Sequence, residues 1–126
     1  MSPGRPQVRR VVFVSCCVAV LWAAAATGSA AERFFSVIED LPLMPALKEV
    51  PHSAVIFSKA QGRIVEVVAQ GPVTREAVLG FYGRTLPQLG WHGAGAQGWR
   101  RDGETLQIGF RPVRDGLLVQ FSIAPR

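Results

Sequence analysis

The residues best suited to acid–base or nucleophilic chemistry in this chain are His52, His92 and Ser53. A histidine activates a serine hydroxyl when the two side chains face each other. Ser53 follows His52 directly, and adjacent residues of a strand point to opposite faces. We therefore predict no catalytic residue and a non-enzymatic protein. The alternative is a small periplasmic hydrolase or ligand-binding enzyme that uses His52 or His92.

The sequence also contains few residues that could bind a metal or a nucleotide cofactor. A metal site needs several ligands at suitable spacing, and neither histidine has such neighbours. Residues 93–98, GAGAQG, match the G-x-G-x-x-G pattern of dinucleotide-binding loops. That pattern holds phosphates because it joins a strand to the start of a helix, whereas here it follows a predicted helix and precedes strands. We predict no metal and no cofactor.

One helix is predicted after Thr74, a residue type that favours the helix N-cap. Glu76 lies in the first turn, where a negative charge complements the helix dipole. Pro87 weakens the last turn, and Gly90 stands where a left-handed C-cap is expected. Between these signals, apolar or small residues recur at the spacing of one buried helix face. They are Ala77, Val78, Phe81, Tyr82, Thr85 and Leu89.

The strand patterns surround this helix. Residues 54–58 and 63–70 predict one hairpin, and residues 105–111 and 117–123 alternate cleanly and predict another,. Residues 99–101 predict a further short strand. We therefore predict an α+β fold, in which an antiparallel sheet of about five strands has the order β-β-α-β-β-β and one helix packs on one face.

Residues 1–31 have the three parts of a secretory signal peptide. Arginines are followed by the apolar run 11–26 and then by small residues, so Sec export to the periplasm is expected, with cleavage near Ala31,. Paired arginines at positions 9 and 10 leave twin-arginine export as a variant. An uncleaved membrane anchor is the third reading, although the apolar run is shorter than the roughly 20 residues that span a bilayer.

The predicted organisation is therefore a signal peptide at 1–31, an apolar, proline-interrupted N-terminal segment at 32–52, and a single α+β domain at 53–126. The chain has 126 residues and a net charge of +5. Removal of the signal peptide lowers that charge to +2 and removes both cysteines. A charge this small, on an exported protein, argues against nucleic acid as a partner.

Three surfaces are candidates for binding an envelope protein or an anionic envelope component. The N-terminal segment supplies apolar residues, two tryptophans bracket the glycine run, and arginines form a basic sheet edge. The patterns nevertheless favour a segment that docks on the domain, tryptophans that cap its core, and arginines on a solvated sheet face. The apolar candidates are Phe34, Phe35, Leu41, Leu43, Met44 and Leu47. The others are Trp91, Trp99, Arg100, Arg101, Arg111 and Arg114.

The helix end carries a recognisable pattern. Residues 81–91 read F-Y-x-x-x-L-P-x-x-G-W, and Gly103, Leu106 and Ile108 follow as G-x-x-L-x-I. In both respects the chain resembles small exported bacterial single-domain proteins of unknown function. The resemblance implies an envelope accessory protein and supplies no catalytic residues. The expected function is thus an exported, non-enzymatic accessory or binding module.

Overall fold

The computed structural model describes residues 3–4 and 33–126. The predicted signal peptide, apart from residues 3–4, therefore lies outside the described residues, as does the anchor alternative. Among the helices of the described ranges, none has the length and apolar character needed to cross a membrane. The strands are β1 (Arg33–Phe34), β2 (Pro42–Leu43), β3 (Lys48–Glu49), β4 (Val55–Lys59), β5 (Gly62–Gly71), β6 (His92–Gly93), β7 (Gly98–Arg101), β8 (Glu104–Val113) and β9 (Gly116–Pro125). Helix α1 spans Arg75–Thr85 and continues as a 3-10 helix, Leu86–Leu89.

Seven of these strands form one antiparallel sheet with the order β3-β5-β9-β8-β7-β6, and β4 pairs with β5 on the same side as β3. Strands β1 and β2 form a separate small sheet. The α+β class is confirmed, but the expected count of five strands in the sheet was wrong. Strands β3 and β6 have only two residues each, too few to show the alternation from which a strand is predicted,.

β3 and β4 behave as one edge strand with an interruption. Between them His52 takes a left-handed backbone conformation with φ of 59°. The Ser53 hydroxyl donates to the carbonyl of Val68 and accepts from its N–H, both at 3.2 Å. At the break, the Ser53 side chain thus bonds the backbone groups of Val68 on β5 that face this edge. Ser53 therefore has a structural role, although it lies next to His52 in the sequence.

The helix follows the predicted signals. The Thr74 hydroxyl oxygen accepts a hydrogen bond from the N–H of Ala77 at 3.1 Å, which confirms the N-cap,. After Thr85 the chain tightens to a 3-10 turn that contains Pro87 and ends at Gly90, where φ is 86°. Gly90 therefore ends the helical region in the left-handed conformation expected of a C-cap glycine.

The core lies between one face of the sheet, here called the core face, and a layer made of α1 and the N-terminal segment. Phe121 on β9 is central, with its ring 5.1 Å from that of Tyr82 on α1 and 4.7 Å from that of Phe35. Five apolar side chains of the N-terminal segment are buried in this core, namely Phe35, Ile38, Leu41, Leu43 and Leu47. The segment therefore docks on the domain and completes its core.

Tyr82 fixes the segment in place. Its hydroxyl donates a hydrogen bond to the carbonyl of Pro42 at 2.8 Å and accepts one from the N–H of Met44 at 3.2 Å. The side chain is fully buried, and this burial raises the pKa of the Tyr82 hydroxyl well above its ordinary value, against a smaller lowering by the bond from Met44,. The neutral phenol is therefore the form that the folded chain holds.

Candidate functional site

The apolar candidates of the N-terminal segment divide into buried and exposed side chains. Phe35, Leu41, Leu43 and Leu47 lie in the core, and Met44 is partly buried against it. Only Phe34 is open, with 46% of its surface exposed. The segment thus presents one phenylalanine, not an apolar face, to a partner.

The two tryptophans also face inward. Trp91 is buried, and Trp99 is half-buried against the core, opposite Leu106 of β8. The glycine run between them is the loop of the β6–β7 hairpin, in which Gly93 lies opposite Trp99. A strand follows this loop, so it lacks the helix N-terminus on which the phosphate chemistry of G-x-G-x-x-G depends,. The aromatic pair forms part of the core, and the loop is a hairpin turn.

The four arginines do not form one surface. The guanidinium of Arg101 lies 4.3 Å above the Trp91 ring and donates to the Leu89 carbonyl at 3.0 Å. It also donates to the Asp40 carboxylate at 2.6 Å, which ties the N-terminal segment to β7. Arg100, the next residue, points to the opposite face of the sheet, as alternation requires.

Arg111 and Arg114 lie at the far end of β8. Arg100 is opposite Thr105, so Arg111 is six residues further along β8, roughly 20 Å at about 3.3 Å per residue,. Arg114 borders a cleft of 540 Å³ whose charged lining residues are Lys48, Glu49, Arg114 and Asp115. Two bases and two acids leave this cleft without a strong preference for anions.

The histidines lie at opposite edges of the seven-stranded sheet. His52 is in the break between β3 and β4, and His92 is on β6. Both are exposed, and they cannot share one active site. In the part of the chain that the structure describes, no three His, Cys, Asp or Glu side chains come together as metal ligands.

Among residues 33–126, the largest exposed apolar feature is strand β4, which the sequence pattern predicts only as half of a hairpin. Val55, Ile56 and Phe57 are 39%, 55% and 56% exposed. Along its other side β4 pairs with β5, and no further strand borders it within residues 33–126. Such an edge offers backbone hydrogen-bonding groups to another chain.

The side chains of β4 cover both faces of the sheet. Val65 is buried on the core face and lies opposite Ile56, so Ile56 is on that face too. Val55 and Phe57 consequently lie on the outer face, the one turned away from α1. Three consecutive apolar residues are typical of a strand covered on both faces, yet here both faces are open. This break in alternation is the signal that could have identified the site.

The backbone N–H and C=O groups of successive β4 residues also alternate, between the side that faces β5 and the open edge. The two-residue hairpin loop makes Lys59 and Gly62 the closing pair, and such loops close on a hydrogen-bonded pair,. Every second residue from Lys59, namely Phe57 and Val55, therefore turns its amide toward β5. Ser58 and Ile56 turn their N–H and C=O groups toward the open edge.

A cleft of 570 Å³ lies beside β4 on the core face. Ile56 forms one wall, with the N-terminal segment opposite. The charged groups of its lining are Glu39, Asp40 and Arg63, of which Asp40 is paired with Arg101 and Arg63 with Glu104 at 3.3 Å. An added strand at β4 therefore has free space next to Ile56.

Comparison of the chain with protein-family models, with curated proteins and with solved structures finds no match.

Proposed function

We propose that this chain is an exported, non-enzymatic binding module of the cell envelope, and that it binds by accepting a strand at the open edge of β4. The observation that carries the proposal is the exposure of Val55, Ile56 and Phe57 on a strand with one unpaired edge. Export is the function of the signal-peptide pattern in residues 1–31,.

Strand addition fits the chemistry of this edge. Ile56 and Ser58 present unpaired N–H and C=O groups that a partner strand satisfies, and these main-chain bonds provide affinity. Val55, Ile56 and Phe57 provide apolar contacts above and below the new strand. Natural proteins usually protect edge strands with charges, and β4 has only Lys59, at its end,.

The other candidate surfaces contribute less. The apolar residues of the N-terminal segment stabilise the domain, since all but Phe34 and Met44 among the six candidates are buried. Arg101 is engaged with Trp91 and Asp40. An anionic envelope component would meet Arg100 at one end of the sheet and Arg111 at the other, with no concentrated charge between them.

A photoreactive benzophenone side chain at position 56, incorporated into the full-length chain in expressing cells, tests the proposal. Position 120 is the matched control, because Gln120 is exposed on the outer face of the central strand β9. We expect a cross-linked adduct at position 56 and none at position 120. No adduct at position 56, or equal adducts at both positions, contradicts strand addition at β4.

A further inference from the structure

We propose that the strand accepted by β4 is β4 of a second copy of this chain, paired antiparallel about a two-fold axis that passes Ile56. This inference rests on the proposed function, because it names the partner at the same edge. Four properties of β4 support it: the direction of its amides, its side-chain register, its charge and the way the pairing closes.

The direction of the amides allows an Ile56-centred pair. A two-fold axis normal to an antiparallel sheet places one residue opposite itself in the second copy. Ile56 turns its N–H and C=O to the open edge, so it forms a hydrogen-bonded pair with Ile56 of the second copy. Ser58 then pairs with Ala54 on each side, and about six backbone hydrogen bonds join the two copies.

The side-chain register is self-complementary about Ile56. Val55 of each copy lies opposite Phe57 of the other on the outer face, and the two Ile56 side chains meet on the core face. Cross-strand pairs of β-branched and aromatic residues stabilise a sheet. All three exposed apolar residues of β4 are therefore covered by apolar partners.

Neighbouring registers are less favourable. An axis at Phe57 places Val55 opposite Lys59 and Ile56 opposite Ser58, so apolar side chains meet polar ones. An axis at Val55 places Phe57 opposite Ser53, the residue that forms the break next to β5. With the axis at Ile56, Lys59 of one copy lies opposite Ser53 of the second copy and far from Lys59 of that copy. No like charges therefore face each other.

The pairing forms a closed dimer, because each copy has one open β4 edge and the two edges cover each other. No β4 edge remains to which a third copy could add. The other edge of the sheet is stepped, because β6 has two residues, β7 has four, and β8 lacks a neighbouring strand beyond Gln107, so no single strand of that edge is exposed along its whole length. One five-residue strand per copy buries less than the roughly 1,200 Å² of standard interfaces, so we expect a reversible dimer,.

Sedimentation velocity of the purified protein tests the pairing over a range from about 10 μM to about 1 mM, which covers weak affinities. We expect the average mass to rise toward that of two chains. Ile56→Lys sets two ammonium groups against each other and is expected to remain monomeric. Gln120→Lys, with the same charge on β9, is expected to associate as the wild type does. A monomeric wild type over the whole range overturns the inference.

A mixture of two charge variants tests the register. Ile56→Lys and Ile56→Glu are each expected to be monomeric alone, and to form a mixed dimer when combined, because residue 56 faces itself across the axis. Unchanged thermal unfolding of each variant shows that the domain remains folded. A mixture that stays monomeric while the wild type associates overturns the Ile56-centred register.

The two proposals fail in different ways. A monomeric wild type, together with a cross-linked adduct to another protein at position 56 in cells, overturns the second copy as partner and leaves strand addition standing. The absence of any adduct at position 56 contradicts both.

Discussion

The Tyr82 hydroxyl donates a 2.8 Å hydrogen bond to the carbonyl of Pro42, and this contact joins α1 to the N-terminal segment. It explains why a segment with many apolar residues presents little of them to solvent. Because the segment completes the core, the apolar surface left for a partner is concentrated on β4, at the other side of the cleft lined by Ile56.

Replacement of Tyr82 by phenylalanine keeps the ring in the core but removes the hydroxyl. The Pro42 carbonyl and the Met44 N–H then lose their partner in a buried place, so we expect the free energy of unfolding to fall by about 1–3 kcal/mol,. Urea denaturation measures this. Equal stability of the two proteins would show that the contact does not hold the segment.

The same tyrosine predicts a loss of stability at high pH. Burial raises the pKa of Tyr82 in the folded chain, whereas the unfolded chain ionises near pH 10,. The stabilisation that comes from this difference in pKa is therefore fully present below about pH 10. Above that pH the free energy of unfolding falls by up to about 1.4 kcal/mol per pH unit. Tyr82 is the single tyrosine of the chain. Absorbance of tyrosinate near 295 nm should therefore appear only as the protein unfolds, and an ordinary titration near pH 10 in the folded state contradicts this.

Adjacent phenylalanines provide a matched pair for the docked segment. Phe35 is 2% exposed and contacts Phe121, whereas Phe34 is largely open. We expect Phe35→Ala to lower the free energy of unfolding by about 3–5 kcal/mol, and Phe34→Ala by less than about 1 kcal/mol. Similar effects of the two substitutions in thermal or urea unfolding would contradict the docking of the segment.

Arg101 and Arg100 provide a second matched pair. Arg101→Lys removes the planar group that stacks on Trp91 and also reaches Asp40, so we expect a loss of about 1–2 kcal/mol,. Arg100→Lys retains an exposed charge on the other sheet face and should change stability by less than about 0.5 kcal/mol. Equal effects in denaturant unfolding would show that the stacked geometry is unimportant.

Local sequence patterns predicted the elements whose ends are specified by the residue types at those positions. Thr74 and Gly90 marked the two ends of the helical region. The sequences of β3 and β6 contain no pattern that specifies a strand. These two strands form because the long strand β5 and the hairpin strand β7 offer an edge to short neighbouring segments.

The candidate site depended on tertiary structure. The residues 34–47 look alike in sequence, and only the contacts with Tyr82 and Phe121 separate buried Phe35 from open Phe34. In the same way, Val55, Ile56 and Phe57 resemble an ordinary buried strand until the sheet order places them at an edge. Apolar composition therefore indicated the N-terminal segment and not β4, and only the topology shows that β4 is the exposed apolar strand.

Amide hydrogen exchange in β4, measured by NMR in dilute and in concentrated protein, shows which backbone groups are paired in the monomer and which are paired only by a second copy. We expect the Val55 and Phe57 amides to be protected at both concentrations, because they bond to β5,. We expect the Ile56 and Ser58 amides to exchange rapidly in dilute protein and to become protected as concentration rises. Rapid exchange of Ile56 and Ser58 at every concentration would contradict pairing of β4 with a second copy.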